Sequence, residues 1–158
     1  MHNGLGLELA AVELQADREI VLEAVKHYAS AITYASEELK DDREIVLEAV
    51  KKYGHMLRCA SVGLKGDREI TLEAVKNHGQ ALEFASREIR GDHDIVLQAI
   101  KQDGDALEFA SAELKSDRDI VLEAVKQKGS ALRHATIKVE DLKAHVRELL
   151  KAILEHGP

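Results

Sequence analysis

Apolar positions recur along this chain in a fixed order. From Asp42 the residues run Asp-Arg-Glu-Ile-Val-Leu-Glu-Ala-Val-Lys, in which Ile45, Val46, Leu47, Ala49 and Val50 form a broad apolar face at helical spacing. After a turn comes a second apolar run, Met56, Leu57, Cys59, Ala60 and Leu64, with spacings of three and four. The pattern predicts two helices per unit. Each would be about ten residues long, too short to be stable alone in water.

The unit restarts at Asp17, Asp42, Asp67, Asp92 and Asp117, 25 residues apart each time, so five units cover 17–141. A fixed period of this size predicts a solenoid, whose units bury their apolar sides against their neighbours. Residues 3–16 read as the second half of a further unit. Gly4, Leu7, Glu8, Ala10 and Leu14 stand 75 residues before Gly79, Leu82, Glu83, Ala85 and Ile89. The period stops after Val139, and Leu142 stands where a sixth Asp would fall. Val139, Leu142, Val146, Leu149 and Ile153, with Leu150 and Leu154 alongside, predict one longer amphipathic helix ending at Gly157-Pro158. The predicted fold is all-α: an α-solenoid of five 25-residue helical-hairpin repeats in a single domain, 1–158. A partial N-terminal repeat (3–16) and a C-terminal capping helix (139–156) flank it.

Local chemistry supports these boundaries. Each leading Asp suits an N-cap, whose carboxylate accepts from first-turn amides. Glu44 early and Lys51 late in the helix match the helix dipole. Gly54, Gly79, Gly104 and Gly129 are expected to end their helices in the left-handed conformation. Ala29 holds that place in the first unit, which predicts a strained or differently shaped turn. The small residues Ala35, Ala60, Ala85, Ala110 and Ala135 predict close helix approach. Arg18, Arg43, Arg68 and Arg118 open their helices and oppose the dipole. An acid on an adjacent helix, such as Glu38, Glu88 or Glu113, is expected to compensate, giving a structural ladder rather than an anion-binding row.

Composition changes the picture in three places. Aromatic content is 3%, there is no Trp and Pro occurs once, so the core must be Leu, Ile, Val and Ala. The net charge of −7, with both signs interleaved, argues against a nucleic-acid partner. No apolar stretch is long enough for a membrane, and Met1 to Gly4 carry no basic leader. The single cysteine cannot form an internal disulfide, which suits a reducing, cytoplasmic location.

The run from Asp42 to Lys51 and the later Gly-x-Ala-Leu-Glu-Phe-Ala-Ser-x-Glu-Leu-Lys resemble the tandem repeat of domain of unknown function 4116. The resemblance covers 17–138 and, weakly, 3–16. It implies arrays of helical repeats without an assigned activity, and it brings no catalytic residues.

The register tests each reactive side chain. Cys59 takes the place of Tyr34, Phe84, Phe109 and His134, an apolar place, so it reads as a buried small hydrophobe without a base to activate it. His55, Met56 and Cys59, with His78, invite a soft-metal reading, but Met56 takes a core alanine's place and further ligands are lacking. The other histidines share no ligand spacing. Paired carboxylates such as Glu37-Glu38 and Asp41-Asp42 fall on turns. No phosphate loop, nucleophile elbow or CxxC is present. The expectation is therefore a protein that is not an enzyme, with no metal and no cofactor.

What varies between units is the outer surface. One row is Thr33, Arg58, Glu83, Glu108 and Arg133. A second is Glu37, Val62, Arg87, Ala112 and Ile137. A third, by the turn, is Tyr28, Tyr53, His78, Asp103 and Lys128. Changing side chains in register predict a scaffold that binds a peptide or protein along one face. The candidate binding residues are Tyr28, Tyr53, Arg58, Val62, Glu83, Arg87, Glu108, Arg133 and Ile137, with Tyr28, Tyr53, Val62 and Ile137 as exposed apolar contacts. The alternatives are unselected surface drift and an engineered or model repeat protein with no natural ligand. Gly63 within a helix, free Cys59 and Ala29 at a turn argue against design.

The C-terminal helix reads either as a cap on the last hairpin or as a homodimer helix with a coiled-coil seam. Sedimentation of residues 1–138 separates the two. Loss of a cap exposes core and aggregates the protein, which is the expected result; loss of a dimer helix leaves a clean monomer.

Overall fold

The computed structural model describes residues 11–156, with side chains as far as Arg147. Each unit opens with an α-helix: α1 (Arg18–His27), α2 (Arg43–Lys52), α3 (Arg68–Asn77), α4 (His93–Gln102) and α5 (Arg118–Gln127). Their N-caps are the predicted aspartates. Asp17 accepts from the Ile20 amide at 3.0 Å, and Asp42 from Glu44 and Ile45 at 3.0 and 3.1 Å. Asp67, Asp92 and Asp117 repeat the pattern. Each helix ends on an extended residue, Tyr28 through Lys128 in register, at φ between −135° and −152°.

The second half of the unit departs from expectation. It is not an α-helix of about ten residues but a six-residue 3-10 helix: Ala29–Tyr34, Gly54–Cys59, Gly79–Phe84, Gly104–Phe109 and Gly129–His134. The chain then turns extended at the small residue, Ala60 for example, at φ −66° and ψ 154°. A short turn follows, Leu39–Asp41, Leu64–Gly66 or Ile89–Gly91, replaced by a brief α-helix at Ala112–Ser116. Serine breaks the helix. Ser36, Ser61, Ser86 and Ser111 accept through Oγ from the amide three residues on, at 3.2 to 3.4 Å. A side chain that satisfies a local amide competes with helical bonding. The same serines donate their own amides to the preceding unit: Ser36 to the Gln15 carbonyl, Ser61 to Lys40, Ser86 to Lys65 and Ser111 to Arg90, at 2.8 to 3.0 Å. Thr136 does so to Lys115 at 2.9 Å.

The units stack in two layers. The five α-helices lie side by side in chain order, and the 3-10 helices stack likewise against them. From α2 onward, each α-helix rests on its own 3-10 arm and on the arm before it. The layers close over Ile45, Val46, Ala49, Val50 and Leu57 and their register mates, nearly all fully buried. Thr71 stands where other units have Val, and its hydroxyl donates to the Lys65 carbonyl at 3.4 Å. Burying a hydroxyl is tolerated when it is bonded. At the end, α6 (Val139–His156) packs on α5 through Leu142, which is 8% exposed. His145 Nε2 lies 2.8 Å from Asp119. Residues 11–16 carry the one-turn helix Val12–Gln15, and the Gln15 carbonyl serves Ser36 as later units serve theirs. The expectations at Gly4, Leu7, Glu8 and Ala10, at the side chains of Leu149, Leu150, Ile153 and Leu154, and at Gly157-Pro158 lie outside the described residues.

The glycine expectation fails in its reason. None of the repeat glycines has a positive φ. At Gly54, Gly79 and Gly104 the next unit is too close for a Cβ, whereas Ala29, in the same place with α2 after it, keeps a buried methyl. A Cβ on Gly79 would stand 2.5 Å from the Ala99 carbonyl oxygen and one on Gly104 2.6 Å from that of Ala124, with Gly54 closer still to Ala74. Gly129 has no following unit and nothing within 4 Å. Ala29 does not reshape its turn: Tyr28 holds φ −135° and ψ 99°, against −137° and 101° at Tyr53.

The arginine ladder exists, with different acids. Arg18 Nε lies 2.7 Å from Asp42 and its Nη2 2.5 Å from Glu44. Arg43 pairs with Asp67 at 3.2 Å and with Glu69, and Arg68 with Asp92 and Asp94 at 3.0 and 3.1 Å. The partners are thus the N-cap and first-turn acids of the next unit, not Glu38, Glu88 or Glu113. Helices stacked in register place one helix's first turn beside the next one's. The ladder lapses at His93, which replaces Arg, and at Arg118, beyond which Leu142 replaces the cap. Burial pushes the Asp42, Asp67 and Asp92 carboxyls up, but arginine and backbone amides together outweigh it and hold all three below the usual carboxylate range.

Gly79→Ala is expected to cost about 1–3 kcal/mol through overpacking. Gly129→Ala is expected to be neutral or to stabilise by up to about 1 kcal/mol. Paired urea melts check both. For the ladder, a lowered native pKa means stability that is present above the unfolded value, about 4, and lost as pH falls through the native one. Arg43→Gln should lower the melting temperature at neutral pH and lose that effect in about 1 M salt, where screening acts within about 3 Å. It should also flatten the fall in stability below about pH 4. Thermal melts across pH and salt read both.

Candidate binding edge

Two residue places in each unit flank the start of the 3-10 helix: Tyr28, Tyr53, His78, Asp103 and Lys128, then Ser30, His55, Gln80, Asp105 and Ser130. Stacking brings each beside its register mates, and side chains touch in two groups, Tyr53 to His78 and Gln80 to Ser130. The Tyr53 and His55 rings have centroids 5.8 Å apart, and His55 meets His78 edge-on at 6.1 Å. Gln80 Nε2 donates to Asp103 Oδ2 at 2.8 Å. Lys128 Nζ lies 3.5 Å from Asp103 Oδ1 and 2.5 Å from Asp105 Oδ2. Ser130 Oγ donates to Asp105 Oδ1 at 3.3 Å, while Arg133 and His134 each approach Asp105 to 3.7 Å. One edge therefore runs from an aromatic end to an ion-paired end.

The electrostatics follow this gradient. Burial, then Arg58 and His78, lowers the pKa of His55, which favours the neutral ring. Asp105 is only 8% exposed, and the Lys128 ammonium holds its carboxyl below the usual range despite that burial. A carboxylate taken out of water needs such partners.

Most predicted contacts face solvent. Tyr28 and Tyr53 are 43% and 55% exposed at the aromatic end. Arg58, Glu83, Glu108 and Arg133 are exposed on the 3-10 arms, with Glu108 reaching to 3.9 Å from His134. Val62, 86% exposed, and Arg87 lie past the Ala-Ser bend, on the stretch leading to the next helix. Ile137 is a correction: it is half-buried and packs on the core, because the chain enters α6 there. The predicted rows thus split between the turn edge and the far stretch.

Asp105, Gln80 and Ser130 were not among the sequence-derived candidates, although reading the place two residues after the turn row, unit by unit, exposes Ser, His, Gln, Asp and Ser in succession. Met56 is buried and Cys59 half-buried, with Sγ 3.7 Å from the Thr33 hydroxyl. Among the described residues, no group of three or more His, Cys, Asp or Glu side chains is placed to hold a metal ion. No described helix is long and apolar enough to cross a membrane.

The family model described as Domain of unknown function (DUF4116) matches residues 1–40, 17–65, 42–90, 67–115 and 92–139. Its matches advance by one 25-residue unit from 17 onward, and the chain belongs to this family. No curated protein and no solved structure gives a significant match.

Proposed function

We propose that this DUF4116 chain is a non-catalytic scaffold that binds a peptide or protein segment along the turn edge. The observation that carries the reading is the contrast between layers. Buried places repeat nearly unchanged, whereas the edge changes from an aromatic contact group, Tyr53, His55 and His78, to an ion-paired one, Asp103, Asp105 and Lys128. A row of rigidly spaced, differing side chains reads an extended ligand unit by unit. Tyr28 and Tyr53 supply large contact area at small entropy cost, as aromatic anchors do at interfaces. The ion-paired end adds register through charge complementarity. A single cysteine, half-buried and free, suits a reducing, cytoplasmic setting.

A peptide array probed with the intact chain tests this. Peptides it selects should lose about tenfold in affinity with Tyr53→Ala, an effect the size of an interface anchor. Arg58→Ala should weaken a subset, and Lys51→Ala on α2 should change nothing. Selection unaffected by Tyr53→Ala and Arg58→Ala would discard the edge as the binding face.

A further inference from the structure

The first and third units differ on the stretch past the Ala-Ser bend, and the difference is chemically one-sided. In the first unit Glu37 pairs with Lys40 at 2.8 Å, and the Asp41 carboxylate accepts from the hydroxyl of Ser61 in the next unit. Two carboxylates thus sit on one cation and one hydroxyl. In register, the third unit has Arg87 for Glu37, Arg90 for Lys40 and Gly91 for Asp41, facing Ser111. Both acids are gone and a second cation has been added.

Here lies a cleft of about 480 Å³ lined by Arg87, Arg90, Gly91, Phe109 and Ser111, among others. A Cβ on Gly91 would stand 3.9 Å from Ser111 Oγ, so a side chain there would reach the hydroxyl. Ser111 Oγ accepts from the Leu114 amide and has no recorded acceptor for its own proton among the described residues. Arg90 Nε is buried without a hydrogen-bond partner among the described residues. A buried donor left unmet is destabilising, and Arg90 is among the residues that line the cleft. Glu88 and Glu113 share the rim. Glu88 is drawn to its own amide and the Ser86 hydroxyl, whose bonds hold its carboxyl below the usual range. Glu113 is the acid an incoming anion must displace or tolerate.

We infer that this cleft is a docking site for an acidic peptide segment, one of whose carboxylates takes the place that Asp41 fills in the first unit. That carboxylate meets Ser111 Oγ and Arg90, and a second meets Arg87. Guanidinium pairs carboxylates with strong, directed bonds. The site lies apart from the turn edge, and neither reading requires the other.

Titration of the intact chain with an Asp/Glu-rich hexapeptide, followed by amide and arginine Nε NMR signals, tests it. Saturable shifts at Gly91, Ser111 and Arg90 Nε are expected, without matching shifts at Tyr53 and His78. Arg90→Gln should weaken binding about tenfold, the loss of one charge-assisted bond. Glu113→Gln should tighten it. Gly91→Asp should abolish it by filling the cleft from within, and should raise the melting temperature. Shifts that ignore Arg90→Gln, or a neutral hexapeptide binding equally, would overturn the assignment. Inorganic phosphate moving the same signals at equal concentration would also overturn it, in favour of a generic oxyanion site.

Discussion

The close approach of one unit's backbone to the next is the constraint from which the rest follows. At Gly54, Gly79 and Gly104 the chain passes so near the following helix that a methyl group would strike a carbonyl oxygen. One residue past the bend, Ser61, Ser86 and Ser111 donate their amides to the unit before. Each unit is therefore bonded on both sides at fixed points, and a repeat of fixed length results. Neither a ten-residue α-helix nor a six-residue 3-10 helix holds alone in water. Stability belongs to the interfaces, as in any array whose units contact only their neighbours.

The same register explains why charges appear where they do. Stacking sets the first turn of each helix beside that of the next, so an arginine there meets two acids of its neighbour. The arginine opposes its own dipole but answers the neighbour's N-cap and first-turn carboxylates. Exposed pairs of this kind contribute little each and more as a network. Where the register ends, chemistry substitutes: His145 from α6 comes to Asp119, and Leu142 closes over the last helix.

A repeat array of this kind is free to vary only where side chains leave the interfaces. The turn edge and the stretch past the Ala-Ser bend are two such places, and both hold chemistry that changes from unit to unit. On the edge, neighbours meet one another: the buried Asp105 carboxylate contacts Lys128 and Ser130, and Gln80 donates to Asp103. Past the bend, Lys40 of the first unit pairs with Glu37, whereas Arg90 Nε of the third has no hydrogen-bond partner among the described residues.

The repeat, its length, the N-capping aspartates and the first helix were all legible in the sequence, because each rests on local chemistry that recurs every 25 residues. The apolar pattern likewise named the core, since Ile45, Val50, Leu57 and their mates in the inner units are buried as their spacing implies, while Ile20 and Leu132 in the end units are exposed. The second half of the unit was not legible as a 3-10 helix. Its apolar spacing suits either helix type, and the serine that breaks it also needs a carbonyl from another unit. The role of the glycines and the partners of the arginines were hidden for the same reason: both depend on distances between units, which no single unit's sequence contains. Folding in tandem sets those distances, and with them which carboxylate meets which cation and which cation is left waiting.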